Sequence, residues 1–216
     1  YRGLGLDYPN ASSSLAMSSS PVVADETLIV QVDTDAESYV AGLNADTGET
    51  RWKLDRPSSA IYASPVLYHS STESRRQVIL HSKNALLSID PRTGNTNWDV
   101  EQGCASIPST TVAGELLLTP LGKLTALRPG ASTGTHDLLW SESRLNPDTP
   151  TPVTYKDRVY VLKGPILSCA KLATGKSDWQ LRLNSADCYA SPLAGNGHLY
   201  LVDENGLLQT IRLGGK

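Results

Sequence analysis

The stretch Leu43-Asn44-Ala45-Asp46-Thr47-Gly48-Glu49-Thr50-Arg51-Trp52 decides the fold, because the chain repeats it. Ser88-Ile89-Asp90-Pro91-Arg92-Thr93-Gly94-Asn95-Thr96-Asn97-Trp98 and Leu172-Ala173-Thr174-Gly175-Lys176-Ser177-Asp178-Trp179 keep the same order. Each runs from the end of an apolar strand through an x-Thr-Gly turn into a strand carrying Trp. A further copy, ending at Leu139-Trp140, replaces the short turn with an expanded Pro129-Gly130-Ala131-Ser132-Thr133-Gly134 loop. The four tryptophans stand 46, 42 and 39 residues apart, and about ten to thirteen residues after each a proline (Pro65, Pro108, Pro152, Pro192) opens the next run. One more copy begins at Ser20-Pro21. A period of about 40–45 residues made of short strands marks a β-propeller blade.

Aligned on the prolines, the repeats give one template. Ser64-Pro65-Val66-Leu67-Tyr68 and Ser191-Pro192-Leu193-Ala194 open a first strand, where proline costs no ladder donor. Alternating second strands follow, such as Arg158-Val159-Tyr160-Val161-Leu162 and His198-Leu199-Tyr200-Leu201-Val202. A third strand then leads to the Thr-Gly turn, whose glycine supplies positive φ. Five copies of these three strands are present against four Trp strands. Tyr8 lies 13 residues before Pro21, the spacing of Trp52 to Pro65, so residues 4–10 are expected to be a fourth strand and residues 1–12 a closing strand for the last blade.

The fold class is therefore all-β: a propeller of four-stranded antiparallel blades forming a single domain, residues 1–216. Its repeats fall at about 15–54, 60–101, 105–142, 149–183 and 188–213. Either five blades close a ring or the segment belongs to a ring of seven or eight. Trp52, Trp98, Trp140 and Trp179 are read as structural, each wedged between blades and burying about 150–250 Å².

Composition narrows the function classes. A net charge of −3 over 216 residues speaks against nucleic acid, which selects a concentrated basic surface. No apolar run approaches the roughly 20 residues of a membrane-spanning helix, so no membrane insertion is expected. The chain opens at Tyr1 rather than Met and is read as a processed or excised segment. Cys104, Cys169 and Cys188 are odd in number, lack C-x-x-C spacing, and are read as small buried hydrophobes.

The quoted repeats resemble the PQQ-like β-propeller repeat family, the blades of quinoprotein alcohol dehydrogenases. They are also similar to the propeller lipoprotein of the bacterial outer-membrane assembly machinery and to bacterial secreted PQQ-like repeat proteins of unassigned function. The resemblance covers roughly Leu15 to Leu213 and speaks to the blade rather than to an activity. It implies a periplasmic or secreted location. An active quinoprotein of this kind would show a vicinal Cys-Cys pair and Glu, Asn and Asp ligands to Ca²⁺ in its channel. The three cysteines are not adjacent, no six-to-eight-oxygen Ca²⁺ set assembles at the expected channel positions, and no C-x-x-C-H haem motif is present. The expected function is a non-catalytic protein-interaction scaffold with another protein as partner and no cofactor. The alternative is a partial or degenerate PQQ-dependent oxidoreductase, using PQQ with calcium.

Several motifs imitate chemistry. Asp46-Thr47-Gly48 matches the aspartic-protease tripeptide, but Arg92 and Ala173 hold the equivalent first position, so it is read as a turn slot. Ser168-Cys169-Ala170-Lys171 has S-x-x-K spacing, which needs a helix and here falls on a strand. Asp33, Asp35 and Glu37, with Asp203-Glu204-Asn205-Gly206 in the last repeat, are read as solvated hairpin tips. His69, His81, His136 and His198 are read as surface or hairpin residues without catalytic partners.

One constellation points to recognition. Met17, Ile61, Cys104, Asp148 and Cys188 each stand four residues before a strand-opening proline. Superposed blades would place them in a ring beneath the connections from fourth to first strands, either packing there or lining a partner site. Arg56 and Arg144, each four residues after its Trp, fall on the same face with loops 55–60 and 141–149. Loops on a rigid scaffold carry recognition, so this face is the expected partner site, and alanine at either arginine is expected to leave stability unchanged.

Overall fold

Gly48, Gly94 and Gly175 take φ of +76°, +75° and +68°, and these turns send the third strand of a repeat back as its fourth. Asn44 and Asp90 close the first two turns, accepting from the amides two and three residues on at 2.8–3.3 Å. The computed structural model describes residues 2–11, 18–71, 76–130 and 134–213; Met17 of the expected ring lies outside them. The first sheet comprises β1 (Val22–Ala24), β2 (Thr27–Val32), β3 (Ser38–Asn44) and β4 (Thr50–Arg56), so it runs two residues past the expected repeat boundary. The second holds β5 (Val66–His69), β6 (Arg76–His81), β7 (Leu86–Ile89) and β8 (Thr96–Val100), and the third β9 (Thr111–Ala113), β10 (Leu116–Pro120), β11 (Leu124–Pro129) and β12 (His136–Glu142). The fourth contains β13 (Val153–Tyr155), β14 (Arg158–Lys163), β15 (Ile166–Lys171) and β16 (Ser177–Arg182); the fifth, β17 (Leu193–Gly195), β18 (His198–Val202) and β19 (Leu208–Arg212). Among the described residues every sheet is antiparallel in sequential order, four of four strands and the last of three.

The sheets stand side by side, with β1 against β5, β5 against β9, β9 against β13 and β13 against β17. A ladder of Ser and Thr residues runs along these first strands. The amide of Ser20 donates to Ser64 Oγ, that of Ser64 to Ser109, that of Ser109 to Thr151 and that of Thr151 to Ser191, all at 2.9–3.0 Å. The hydroxyls beside the strand-opening prolines thus bind each blade to the next.

Apolar alternation builds the core between sheets. Ile29, Val40 and Trp52 of the first sheet meet Val78, Leu80 and Ile89 of the second. Tyr160, Leu162, Leu167 and Cys169 of the fourth meet Leu199 and Leu201 of the fifth. The tryptophans lock the register. Trp52 Nε1 donates to the carbonyl of Pro91 at 3.0 Å and Trp140 Nε1 to that of Leu172 at 2.9 Å, each acceptor three residues before the turn glycine of the next sheet. Each indole also lies flat on that glycine: a Cβ at Gly94 or Gly175 would come within 2.8 or 2.6 Å of the ring. Trp98 faces the repeat with the expanded loop and bonds instead to Gln77 Oε1 of its own sheet at 2.9 Å.

Opposite each Trp on the third strand is a small residue: Gly42, Ser88, Ala126 and Cys169. The ladder shifts register immediately after each of them, a bulge repeated in all four complete sheets.

The expected closing strand is corrected by the structure. Leu4–Asp7 forms a single helical turn (α1) and Tyr8 stacks on Tyr39 with ring centroids 4.5 Å apart. Leu4, Tyr8 and Ala11 pack on Val32, Tyr39, Ala41 and Leu43 of the first sheet. Arg2 donates to the Gly48 carbonyl at 2.7 Å, and the Lys53 ammonium sits 5.1 and 5.2 Å from the Tyr8 and Tyr39 ring centres. Among the described residues this segment is what lies on that side of the first sheet. The segment thereby buries apolar surface of the first sheet.

Candidate functional site

The face formed by the second-to-third-strand hairpins and the fourth-to-first-strand connections is the candidate interaction face. Its connections are tied to its hairpins: Ser58 Oγ donates to the Ala36 carbonyl, the Ala60 amide to Asp35 Oδ1 at 3.1 Å, the Cys104 amide to the Ser82 carbonyl at 3.1 Å and the Leu183 amide to that of Pro165 at 2.8 Å. The layer is therefore held rigid.

Arg56 does not face solvent. Its Nε and Nη2 donate to Asp33 Oδ1 and Oδ2 at 2.8 and 3.0 Å, and Nη2 also reaches the His81 carbonyl of the second sheet. The two side chains are 4% and 2% exposed. Gln31 Nε2 adds a bond to Asp33 Oδ2 at 2.7 Å. Burial lifts the Asp33 carboxyl above its ordinary value, and the bonds from Arg56 and Gln31 pull it partly back. The expectation that Arg56 contacts a partner is overturned: a guanidinium that bridges a buried carboxylate and a neighbouring sheet joins two blades. Asp33 is likewise no solvated tip, and Asp203, in the same place in the fifth sheet, accepts from the amides of Asn205, Leu207 and Ala186 at 2.9–3.1 Å.

His81 extends this layer and is buried, not a surface residue. Its Nδ1 donates to the Ala105 carbonyl at 3.3 Å and its Nε2 accepts from Thr110 Oγ1 at 2.8 Å, with Thr119 Oγ1 2.9 Å beyond. Burial above all, with the nearby Arg56 charge, pushes its pKa down to about 4 against the pull of the Ala105 carbonyl, so the ring is neutral.

The residues expected to ring this face separate into two groups. Ile61 and Cys188 are buried, and Cys104 packs partly buried on the cluster of Tyr68, Trp98 and Leu117. Burial pushes the Cys104 thiol up to about 12, Cys169 to about 11, and Cys188 upward. All three are free thiols. These residues pack beneath the connections. Asp148 is exposed, with Oδ2 accepting from the Gly164 amide at 3.0 Å. Arg144 is exposed on a 3-10 turn, Ser143–Leu145, anchored by fully buried Leu145 and by Glu142 Oε1 accepting from the Arg144 amide at 3.1 Å. Arg144 lines a shallow cleft with Lys163, Ile166, Ser168 and Gln180.

Two further residues escape sequence reasoning. Ile107 and Tyr189, both on fourth-to-first connections, are 43% and 59% exposed. Exposed arginine and tyrosine side chains on such connections are residue types enriched at protein interfaces. Of the look-alike motifs, Ser168 and Lys171 lie on β15 with Gln180 Nε2 donating to Ser168 Oγ at 3.0 Å, a cross-strand contact. Among the described residues no three His, Cys, Asp or Glu side chains converge to hold a metal ion.

Residues 12–136, more than half of the chain, match the family model described as outer membrane protein assembly factor BamB. No curated protein matches the chain in sequence. Among solved structures it is similar to BamB from Moraxella catarrhalis, with 14% identity and a TM-score of 0.60, over 91% of this chain and 61% of that one. It is similar also to the computationally designed Ika8 protein, with 13% identity and a TM-score of 0.67, over 89% of this chain and 57% of that one. Sqt1 of Saccharomyces cerevisiae aligns at 11% identity with a TM-score of 0.63, over 88% of this chain and 56% of that one. At these identities the structural likeness shows the fold, and the chain spans roughly six-tenths of the length of these relatives.

Proposed function

Because the chain belongs to the PQQ-like repeat family described as outer membrane protein assembly factor BamB, we propose that it is a non-catalytic protein-interaction scaffold of the bacterial envelope or secreted compartment. Its partner is another protein, received on the hairpin-and-connection face. The observation that carries this reading is the arrangement of that face: exposed Ile107 and Tyr189 on connections hydrogen-bonded to the hairpins of their own sheets, and exposed Arg144 on a connection whose Asp148 accepts from Gly164 of the next hairpin. Binding to such a face requires little ordering of the loops, which lowers its entropic cost. The description of the family as an assembly factor supports a protein partner, and no helix among the described residues is long and apolar enough to cross a membrane.

The reading takes no cofactor, and no step through calcium or quinone follows from the residues described. The test is capture of partner protein from an extract of the source cells by the wild-type chain and by a double variant, Arg144→Glu with Tyr189→Ser. Capture lost at an unchanged melting temperature is expected. Equal capture by both proteins, or saturable uptake of PQQ with calcium by the chain, would overturn the reading in favour of another face or of the oxidoreductase.

A further inference from the structure

The residue four places after each Trp reaches into the next sheet in the first two repeats and not in the third. Arg56 donates to the His81 carbonyl, and Gln102 Nε2 donates to the Leu121 carbonyl at 2.6 Å. Arg144 has the same offset, but the 3-10 turn Ser143–Leu145 carries it off that path. Leu145 is buried with Val161 in the cluster that joins the third and fourth sheets, so Arg144 stands over the cleft between them. The far wall of the cleft is one face of the fourth sheet. Lys163, Ile166 and Arg182 oppose one another across β14, β15 and β16, and Ser168 and Gln180 lie two residues along on the same face. On the first sheet the cations of this end are neutralised within the chain: Arg56 by Asp33, and Lys53 by Glu37 at 3.8 Å and by Asp55. Arg144, Lys163 and Arg182 are exposed and make no ion pair with a described residue. The carboxylates nearby in the chain are turned to backbone, Glu142 Oε1 to the Arg144 amide and Asp148 Oδ2 to the Gly164 amide.

We propose that this cleft receives an acidic segment of the partner protein, its carboxylates on Arg144, Lys163 and Arg182 and an aliphatic side chain on half-buried Ile166. The inference rests on the hairpin-and-connection face being the partner face, and it adds what the partner must present there. Three cations around one cleft set up a positive potential that an anionic segment relieves. The guanidinium forks of Arg144 and Arg182 match carboxylate geometry. The spacing selects a chain over a single small anion. Lys163 and Arg182 lie two strands apart, roughly 9–10 Å, whereas acidic residues two to four places apart on an extended chain span roughly 7–14 Å. Exposed ion pairs contribute little singly, so the aliphatic contact on Ile166, midway along the row, supplies the apolar part of the recognition.

The probe is a labelled synthetic peptide, Ser-Glu-Asp-Leu-Asp-Glu-Ser, followed by fluorescence anisotropy against the full chain. Saturable binding is expected, at least tenfold weaker for the peptide with Gln and Asn in place of Glu and Asp. The same loss is expected for the protein carrying Lys163→Glu and Arg182→Glu, and a loss in the same direction for Arg144→Glu on the opposite wall. Lys176→Glu makes the same kind of charge change on the turn at the other end of the fourth sheet and should leave binding unchanged. All four side chains are exposed, so these proteins keep their fold, as their melting temperatures will show. Equal binding of the two peptides, unchanged binding by the double variant, an equal loss with Lys176→Glu, or no binding at peptide concentrations on the order of 1 mM would overturn the proposal. So would sedimentation of the wild type, and not of the double variant, with phosphatidylglycerol vesicles when the peptide does not bind, which assigns the cleft to a membrane surface. In the capture experiment, a partner lost by Arg144→Glu with Tyr189→Ser but fully kept by Lys163→Glu with Arg182→Glu would sink the acidic segment and leave the scaffold reading standing.

Discussion

Replacing Arg56 by alanine should destabilise the protein strongly. The guanidinium is 4% exposed and makes two bonds to a carboxylate that is itself 2% exposed, besides one to the His81 carbonyl. Its removal leaves Asp33 as a buried charge that keeps, among the described residues, the bond from Gln31 Nε2. Breaking a buried pair in this way costs about 3–5 kcal/mol, the penalty lying in the unpaired partner. An unfolding entropy of about 2.1 cal/mol/K per residue gives about 0.45 kcal/mol per degree for 216 residues. The melting temperature should therefore fall by about 7–11 °C. Asp33 is already lifted by burial, and without Arg56 its carboxyl rises further. A folded-state value raised above the unfolded one gives stability that is lost as pH rises, so the deficit should be larger at pH 8 than at pH 5. Thermal melting followed by circular dichroism at both pH values reads this, with Arg144→Ala as the exposed control, expected within about 1 °C of wild type. An Arg56→Ala protein that melts with the wild type would refute the buried-pair reasoning.

Three other outcomes follow from the same geometry. Stability should fall as pH drops from about 6.5 towards 4, because His81 is neutral when folded with a pKa of about 4 and must take up a proton on unfolding. Urea titrations across that range should show up to about 3 kcal/mol more loss for the wild type than for His81→Gln, and parallel curves would contradict it. Trp140→Ala should cost about 3–5 kcal/mol, whereas Trp179→Ala, half-buried beside the three-stranded sheet, should cost clearly less; equal losses in chemical denaturation would show that the fifth sheet is covered. The three thiols should resist a disulfide reagent at neutral pH and react only on unfolding, since burial raises all of them; rapid labelling of any one in the native protein would count against the packing.

The blade was legible because its signals are local. A Thr-Gly turn with positive φ, a Trp four residues on and a proline opening the next strand each encode one backbone event, and the structure places Gly48, Gly94 and Gly175 accordingly. The small residues opposite the tryptophans could also have been read, since Gly42, Ser88, Ala126 and Cys169 stand ten residues before their Trp in three repeats and fourteen in the repeat with the longer loop. What was not legible depends on which surfaces have neighbours. Tyr8 has the spacing of a fourth-strand aromatic, but it packs on the first sheet against Tyr39. Arg56 and Arg144 occupy the same offset after a Trp, yet only Arg56 meets an acidic residue at the end of the second strand, Asp33; the third repeat carries Leu121 there. His81, alone in sequence, acquires partners from a strand about thirty residues away. Ile107 and Tyr189 gave no signal, because exposure of a single apolar side chain on a loop has no pattern.

The central claim is that a partner protein binds the hairpin-and-connection face. Site-specific photo-crosslinking in the source cells tests it most directly, with a photoreactive residue in place of Arg144 and, as the control, in place of Lys156 on the turn between β13 and β14 at the opposite end of the fourth sheet. The account predicts a discrete higher-mass protein adduct from position 144 and none from position 156. Adducts from position 156 alone, or none from either, would contradict it.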